Sequence, residues 1–467
     1  MKILILGGGP AGLGAAWRLN QLGHHTWDLL EASHHAGGLA SSFRDKNGFF
    51  WDIGGHVQFS HYEYFDSLMH DLIPPGDWLT HQRKSWVWMR NRFIPYPFQN
   101  NIRRLPREDL ARCLHGLVEL YRSGPRPPQN FKDWIEATFG TGIADIFMLP
   151  YNFKVWAYPP EQLAYHWVGE RVAVTDLSRV LENLIFERDD LSWGPNNVFQ
   201  FPRQGGTGAI WNSCARRLPA DRLHFGAQVE EIDAGRRIVT TADGCTWSYD
   251  RLISTIPLTQ LLRLSGRKDL AAAARRGLRY SSSNIVGIGL KGQPPEHLKT
   301  KCWMYFPESD CPYYRVTVFS NYSRYNVPDP QRTWSLMTET SESRYKPVKH
   351  DTLVQETIRG LLNTKLIQEV SDVVSTWSYR AEHGYPTPGL YRDQALAKIL
   401  PVLELDDIYS RGRFGAWKYE VSNQDHSFMQ GLEIVERLLN GRPEITLPDP
   451  SHANSRKHPF PFERWRI

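Results

Sequence analysis

The chain opens on Lys2-Ile3-Leu4-Ile5-Leu6, which runs without a break into Gly7-Gly8-Gly9-Pro10-Ala11-Gly12. An apolar run of strand length, a G-x-G-x-x-G turn and an alanine-rich helix start together make the element that seats a dinucleotide pyrophosphate. Gly7 permits the tight turn, Gly9 lets the backbone approach phosphate, and Gly12 lets helix and strand pack closely. The helix start turns unpaired N–H groups and the positive end of its dipole toward the anion. Glu31 closes a second apolar strand, 27–30, where a carboxylate can accept from ribose hydroxyls. Strand, turn, helix, strand and acid in that order specify an α/β dinucleotide fold and leave the reaction open.

Two further glycine approaches follow, Gly37-Gly38-Leu39 and Gly54-Gly55-His56, as expected of a chain that passes repeatedly along one long cofactor. From residue 107 to 188 the apolar spacing turns helical, as in Leu110, Leu114, Leu117 and Val118. Short alternating runs at 85–89 and 92–96 read as a hairpin, and 229–232, 237–241 and 246–249 as strands with an Asp243-Gly244 turn. A second sheet is expected from 285–290 and 314–319, and an amphipathic helix from Gln424 to Leu439. This pattern favours one discontinuous FAD-binding domain (1–56, 196–260 and 405–445) over serial domains. The remainder divides into a helical domain (101–193), an antiparallel sheet domain (57–100 and 261–404) and a poorly ordered tail (446–467). FAD is favoured over NAD because it must be gripped along its whole length.

The net charge of +5 over 467 residues is mild, and no basic stripe carries stacking aromatics, so nucleic acid is not an expected partner. The five cysteines are odd in number and scattered, which predicts free thiols and no metal site; the tandem pairs His24-His25 and His34-His35 read as loop residues. No apolar run approaches the ~20 residues of a membrane span. With the cofactor strand starting at residue 2, no room is left for a cleavable leader, and a cytoplasmic location is expected.

Several clusters resist a purely structural reading. Rings stand beside amides in Tyr96-Pro97-Phe98-Gln99-Asn100-Asn101, and Tyr151-Asn152-Phe153-Lys154-Val155-Trp156 precedes Gly169-Glu170-Arg171. Tyr305, Tyr313-Tyr314-Arg315 and Ser320-Asn321-Tyr322 follow, then His383-Gly384-Tyr385 and Gly412-Arg413-Phe414-Gly415. With the strings GGHVQFSHY, PYPFQNNI, GTGIADIFMLPYNFKVWA, FPRQGGTGAIW and SRGRFGAWKYEVSNQDHSFM, these clusters resemble the UDP-galactopyranose mutase family, in its eukaryotic-type branch, from the glycine turn to about Gly441.

The resemblance implies a ring contraction of UDP-galactopyranose to UDP-galactofuranose with no net redox change. It implies reduced FAD, regenerated by NADH or NADPH, and a covalent flavin N5–sugar intermediate. Arg171 and Arg315 would bind the diphosphate, bidentately and without loss of charge. Tyr305, Tyr322 and Tyr419 resemble the diphosphate-binding hydroxyls, and Tyr385 shares their pocket. Tyr96, Phe98 and Gln99 match the uridine site, and Asn152, Trp156, Asn196 and Asn423 match positions near the sugar. His56 would pass the flavin N5, with Phe59 in the pocket wall. Arg413, Asn423, Gln424 and Ser427 would meet the flavin, and the backbone of Val229 the adenine. Ser422 stands where fungal members carry glycine, a change tolerable only at an ordinary backbone torsion. A homo-oligomer is compatible with the resemblance. Rival readings are a mutase for another nucleotide sugar, an amine-oxidase or desaturase-type oxidoreductase, and a non-catalytic binding module.

Overall fold

A computed structural model describes residues 1–124, 126–191 and 197–459. Its centre is a five-stranded parallel sheet in the order Ile408–Ser410, Arg251–Ser254, Ile3–Leu6, Trp27–Glu31, Leu223–Phe225. Ile3, Leu4, Ile5 and Leu6 are wholly buried because both faces of this sheet are covered: Ile3 and Ile5 share a core with helices Pro10–Gln21 and Gln424–Asn440, and Leu4 and Leu6 share one with Ile232 and Val239 of a smaller sheet and with Leu258 and Leu261. One covering helix, Pro10–Gln21, crosses another, Gln424–Asn440, at a contact without side chains. A Cβ on Gly14 would lie 2.3 Å from the Phe428 carbonyl oxygen, and one on Gly431 1.9 Å from that of Ala11. Val229–Asp233, Ile238–Thr241 and Thr246–Ser248 form the small antiparallel sheet expected around Asp243-Gly244.

The second large sheet has seven strands, in the order Val373–Thr387, Arg279–Lys291, Thr333–Glu342, Arg315–Val318, Trp303–Tyr305, Ser85–Met89, Arg92–Pro95. It departs from the expected antiparallel sheet at one junction, where Trp303–Tyr305 pairs with Ser85–Met89 in parallel. The hairpin 85–95 enters from far upstream in the chain, and its Arg90 and Asn91 take the two left-handed conformations that a tight turn requires. Helices Arg107–Ser123, Phe131–Ile143, Leu149–Trp156 and Leu177–Ile185 make up the helical region.

Two expectations need correction. Segment 57–84 does not belong with the sheet domain, because helix Glu63–Leu72 buries Phe65, Leu68, Met69 and Leu72 in the core of the dinucleotide fold. Strand Trp78–Gln82 pairs instead with Val198–Pro202. The tail is also ordered through residue 459. Asp449 accepts from the His452 N–H (2.9 Å) and starts helix Pro450–Ser455, and His458 exchanges backbone hydrogen bonds with His61 and Glu63. Proline and arginine content suggested disorder; these long-range bonds, which composition does not reveal, override it.

Candidate active site

The cofactor elements converge as backbone. Gly7 holds φ +101°, and a Cβ on Gly12 would stand 1.8 Å from the Gly7 carbonyl oxygen, so both turn and helix packing exclude a side chain. Gly9 caps the helix with extended torsions, and a Cβ there would meet nothing nearer than the Gly37 carbonyl and Gly38 Cα, both at 3.9 Å. Gly38, at φ +52°, faces Gly9 across this lane, with Leu39 beside it. Glu31 accepts from the N–H of Gly8 (2.6 Å) and of Ser33 (2.8 Å), so the expected ribose ligand also pins the glycine turn. Val229 begins its strand at a register shift opposite Thr241.

Gly54 (φ +99°) and Gly55, just before His56, pass against Glu339 and Thr317 in the central strands of the seven-stranded sheet. The Gly55 N–H donates to Glu339 Oε1 at 3.0 Å. His56 Nδ1 is buried with no hydrogen-bond partner, and burial lowers the imidazole to about 4, against the opposing pull of Glu339. A buried, neutral and unsatisfied ring nitrogen beside glycine-lined backbone fits a planar polar cofactor. Arg413 fits it as well. Its guanidinium bonds only neutral oxygens in the hydrogen bonds resolved, namely the Gly384 carbonyl (3.0 Å), the Ser422 hydroxyl (2.8 Å) and the Ser422 carbonyl (3.3 Å). Ser422 has φ −126°, so the substitution for glycine is unstrained and adds this contact. The helix starting at Gln424 has Asn423 as its N-cap with no side-chain capping bond. Gln424 accepts from the Trp211 indole (2.7 Å), and Ser427 lies one turn along, near the Ser422 carbonyl. The residues present therefore fit FAD.

The candidate rings fall into two contact groups. Tyr96 packs on Tyr305 (5.3 Å between centroids) and lies beneath the Arg83 guanidinium; Tyr151 packs edge-on against Tyr305. Trp156 meets Tyr419 (4.8 Å) and Tyr385 (5.8 Å). Arg171, Arg315 and Arg413 all act electrostatically on the Tyr419 hydroxyl, which burial nonetheless pushes above its usual range. Arg315 is clamped: its Nε and Nη2 donate to the two oxygens of Glu339 at 2.6 and 2.7 Å, and Glu339 also accepts from the Tyr314 hydroxyl (2.8 Å). Burial pushes the Glu339 carboxyl up, but the charge and hydrogen bonds of Arg315 outweigh it and keep the group ionised. This corrects the expectation of a free bidentate fork, since one edge of Arg315 is already committed.

The remaining candidates divide. Phe59 packs edge-on against His61, and Asn152 donates to the carbonyl of Met148, the residue that precedes its helix. Phe98, Gln99 and Tyr322 are closed off from solvent at 0, 1 and 1 % exposure. Phe98 packs on Phe147, Gln99 donates to the Ala173 carbonyl, and the Tyr322 ring packs among Phe199, Phe201 and Phe319 while its hydroxyl is buried without a hydrogen-bond partner, within electrostatic reach of Arg315 and Glu339. These three form the buried backing of the ring set, because apolar neighbours from both sheets and the helical region close over them. Asn196 lies outside the described residues. Sequence reasoning missed Glu339, although an isolated acid within Thr333–Glu342, a strand otherwise uncharged up to its last residue, was a visible signal.

Under the cofactor helix, Asp425 accepts from both the N–H and Nδ1 of His61 at 3.0 Å and lies 3.3 Å from His426 Nδ1. Burial raises Asp425, but the two histidines outweigh it and hold the carboxyl well below its usual range. Burial lowers His426 to about 4, with Asp425 opposing. His426 is neutral in the fold, and in the unfolded chain it takes up a proton near its ordinary 6.5. Between those values the unfolded state binds more protons, so stability falls as pH falls. His426 contributes at most about 3 kcal/mol to this loss. The thermal midpoint should drop between pH 7 and pH 5, and His426→Gln should flatten that drop. An equal pH slope in the variant would contradict the assignment.

The family model of the flavin containing amine oxidoreductases matches residues 10–413, which places the chain in that class of protein. The chain is 51 % identical to a reduced UDP-galactopyranose mutase of known crystal structure, with 98 % of each chain covered and a TM-score of 0.95; it belongs to the UDP-galactopyranose mutase family. A fatty acid isomerase of P. acnes that produces CLA shares the fold alone, at 14 % identity and a TM-score of 0.62, with 94 % of this chain and 98 % of that chain covered. The 15-cis-phytoene desaturase of Glycine max is 38 % identical over 72 residues, which is 15 % of this chain and 12 % of that protein. Among the described residues no helix is long and apolar enough to cross a membrane.

Proposed function

We propose that this chain interconverts UDP-galactopyranose and UDP-galactofuranose as a flavin-dependent isomerase, with no net redox change. The observation that carries the reading is the grouping of Arg171 and Arg413, each 5.9 Å from the Tyr419 ring, with Arg315 close enough to act on the same hydroxyl, in a chain akin over 98 % of its length to a UDP-galactopyranose mutase. An oxidoreductase for apolar substrates has no use for three cations around one tyrosine hydroxyl. Reduced FAD supplies covalent catalysis at the anomeric carbon when bound.

The protein's own groups then have defined tasks. Gly7, Gly9, Gly12 and Gly38 admit the pyrophosphate, with Glu31, Leu39 and Val229 at the adenosine end. Gly54, Gly55, His56, Arg413, Asn423, Gln424 and Ser427 hold the flavin end. Arg171 and the uncommitted edge of Arg315 bind the diphosphate and stabilise its charge as it departs. The hydroxyls of Tyr305 and Tyr419, which burial holds above their usual range, keep their protons and donate to the same oxygens, with Tyr385 beside them. Tyr96 offers a face to the uracil, backed by Phe98, Gln99 and Tyr322. Phe59, Asn152, Trp156 and Asn423 enclose the sugar, and Asn196 is assigned there on family resemblance alone. NADH or NADPH is the proposed electron donor, and the cytoplasm the proposed location.

The test uses UDP-galactopyranose carrying ¹⁸O in the bridge between C1 and the β-phosphorus. Cleavage of the C1–O bond frees the β-phosphate to rotate, so label should scramble into its non-bridging oxygens on the reduced enzyme. Retention of all label in the bridge would contradict the reading.

A further inference from the structure

Arg171 lies in the short turn Gly169–Arg171, outside both large sheets, and meets no carboxylate in any ion pair resolved among the described residues. Its Nη2 donates to two neutral oxygens, the Glu420 carbonyl at 2.5 Å and Asn454 Oδ1 at 3.0 Å. Asn454 is 9 % exposed, and its own amide is fully used: Nδ2 donates to the same Glu420 carbonyl (2.9 Å) and to the Pro450 carbonyl (2.7 Å). Glu420 belongs to the turn Tyr419–Val421, and its carboxylate is fixed by both terminal nitrogens of Arg392 at 2.7 Å. One amide thus ties the C-terminal helix, the turn that carries Tyr419, and the guanidinium of Arg171. The anchoring continues at His458, whose N–H donates to the His61 carbonyl at 2.6 Å.

We propose that Asn454 is a positioning residue for Arg171, through which the C-terminal helix aims this guanidinium at the substrate diphosphate. The inference rests on the reading of Arg171 as a diphosphate ligand. Neutral acceptors suit the task. They fix Nη2 through hydrogen bonds strengthened by the positive charge, yet leave that charge uncancelled for an anionic ligand. A carboxylate at the same place would compete with the diphosphate for the cation.

The test is a double-mutant cycle on the full-length, FAD-loaded enzyme reduced with dithionite, with UDP as the titrant and turnover measured in parallel. Asn454→Ala should weaken UDP binding and raise KM by about tenfold, with kcat changed by no more than about twofold. FAD content should be unchanged. In an Arg171→Ala background, Asn454→Ala should add no further loss. Asn454→Asp keeps the acceptor but adds the competing charge, so it should also weaken UDP binding, and more so at low salt. If Asn454→Ala does not fold, Asn454→Asp completes the same cycle.

A full tenfold loss persisting in the Arg171→Ala background would overturn the proposal, because the effect would then not pass through Arg171. Unchanged UDP affinity in both Asn454 variants would overturn it too. If Arg171→Ala itself bound UDP normally, the diphosphate reading would fall and the proposal with it.

Discussion

Replacing Arg315 with alanine is expected to lower turnover at least about a hundredfold and to destabilise the fold by about 3–5 kcal/mol. The second effect follows from Glu339, whose side chain is 3 % exposed and whose two oxygens are both held by Arg315. Without the arginine, a buried carboxylate keeps only the Tyr314 hydroxyl and the Gly55 N–H. Removing one member of a buried pair costs far more than the pair contributes. The two effects separate in the double variant Arg315→Ala/Glu339→Gln, where no charge is stranded. Thermal denaturation should show its stability largely restored, while turnover stays low. Recovery of turnover along with stability would mean that Arg315 acts only as a counter-ion.

The other large effect is expected at Gly431. A Cβ there would lie 1.9 Å from the Ala11 carbonyl oxygen and 2.8 Å from the Ala15 nitrogen, both backbone atoms. No rotamer change relieves such a clash, so Gly431→Ala must separate helix Gln424–Asn440 from helix Pro10–Gln21. Overpacking of this kind costs about 1–3 kcal/mol or more. Here it also displaces Asn423, Gln424 and Ser427 from the glycine turn. FAD retained after desalting should fall sharply, together with the thermal midpoint. Gly76→Ala is the control, because a Cβ there meets nothing within 4 Å. Full FAD retention in Gly431→Ala would show that this helix crossing does not hold the cofactor site together.

The difference between Gly12 and Gly431 shows what was legible in the sequence. Both are excluded from bearing a side chain by a backbone oxygen less than 2 Å from the would-be Cβ. Gly12 belongs to a local motif, so its spacing announces the constraint. Gly431 acquires it from a helix at the other end of the chain, and the amphipathic pattern of 424–439 gives no hint. The same holds for the site. Arg171, Arg315 and the tyrosines were found through resemblance over long strings. Glu339 and Asn454, which hold those arginines, are fixed by pairings across the fold. The strands Thr333–Glu342 and Val373–Thr387 escaped notice because their burial, and so their alternation, depends on sheet neighbours on either side. The backing role of Phe98, Gln99 and Tyr322 likewise depends on which side of the ring set closes.

The central claim is that the site performs an isomerisation that requires the reduced cofactor. Anaerobic incubation of the dithionite-reduced protein with UDP-galactofuranose, beside an oxidised sample, tests it most directly. Chromatography should show UDP-galactopyranose forming only in the reduced sample, with the flavin spectrum unchanged after many turnovers. Conversion that bleaches or restores the flavin in proportion to product, or no conversion by a fully FAD-loaded and reduced protein, would contradict it.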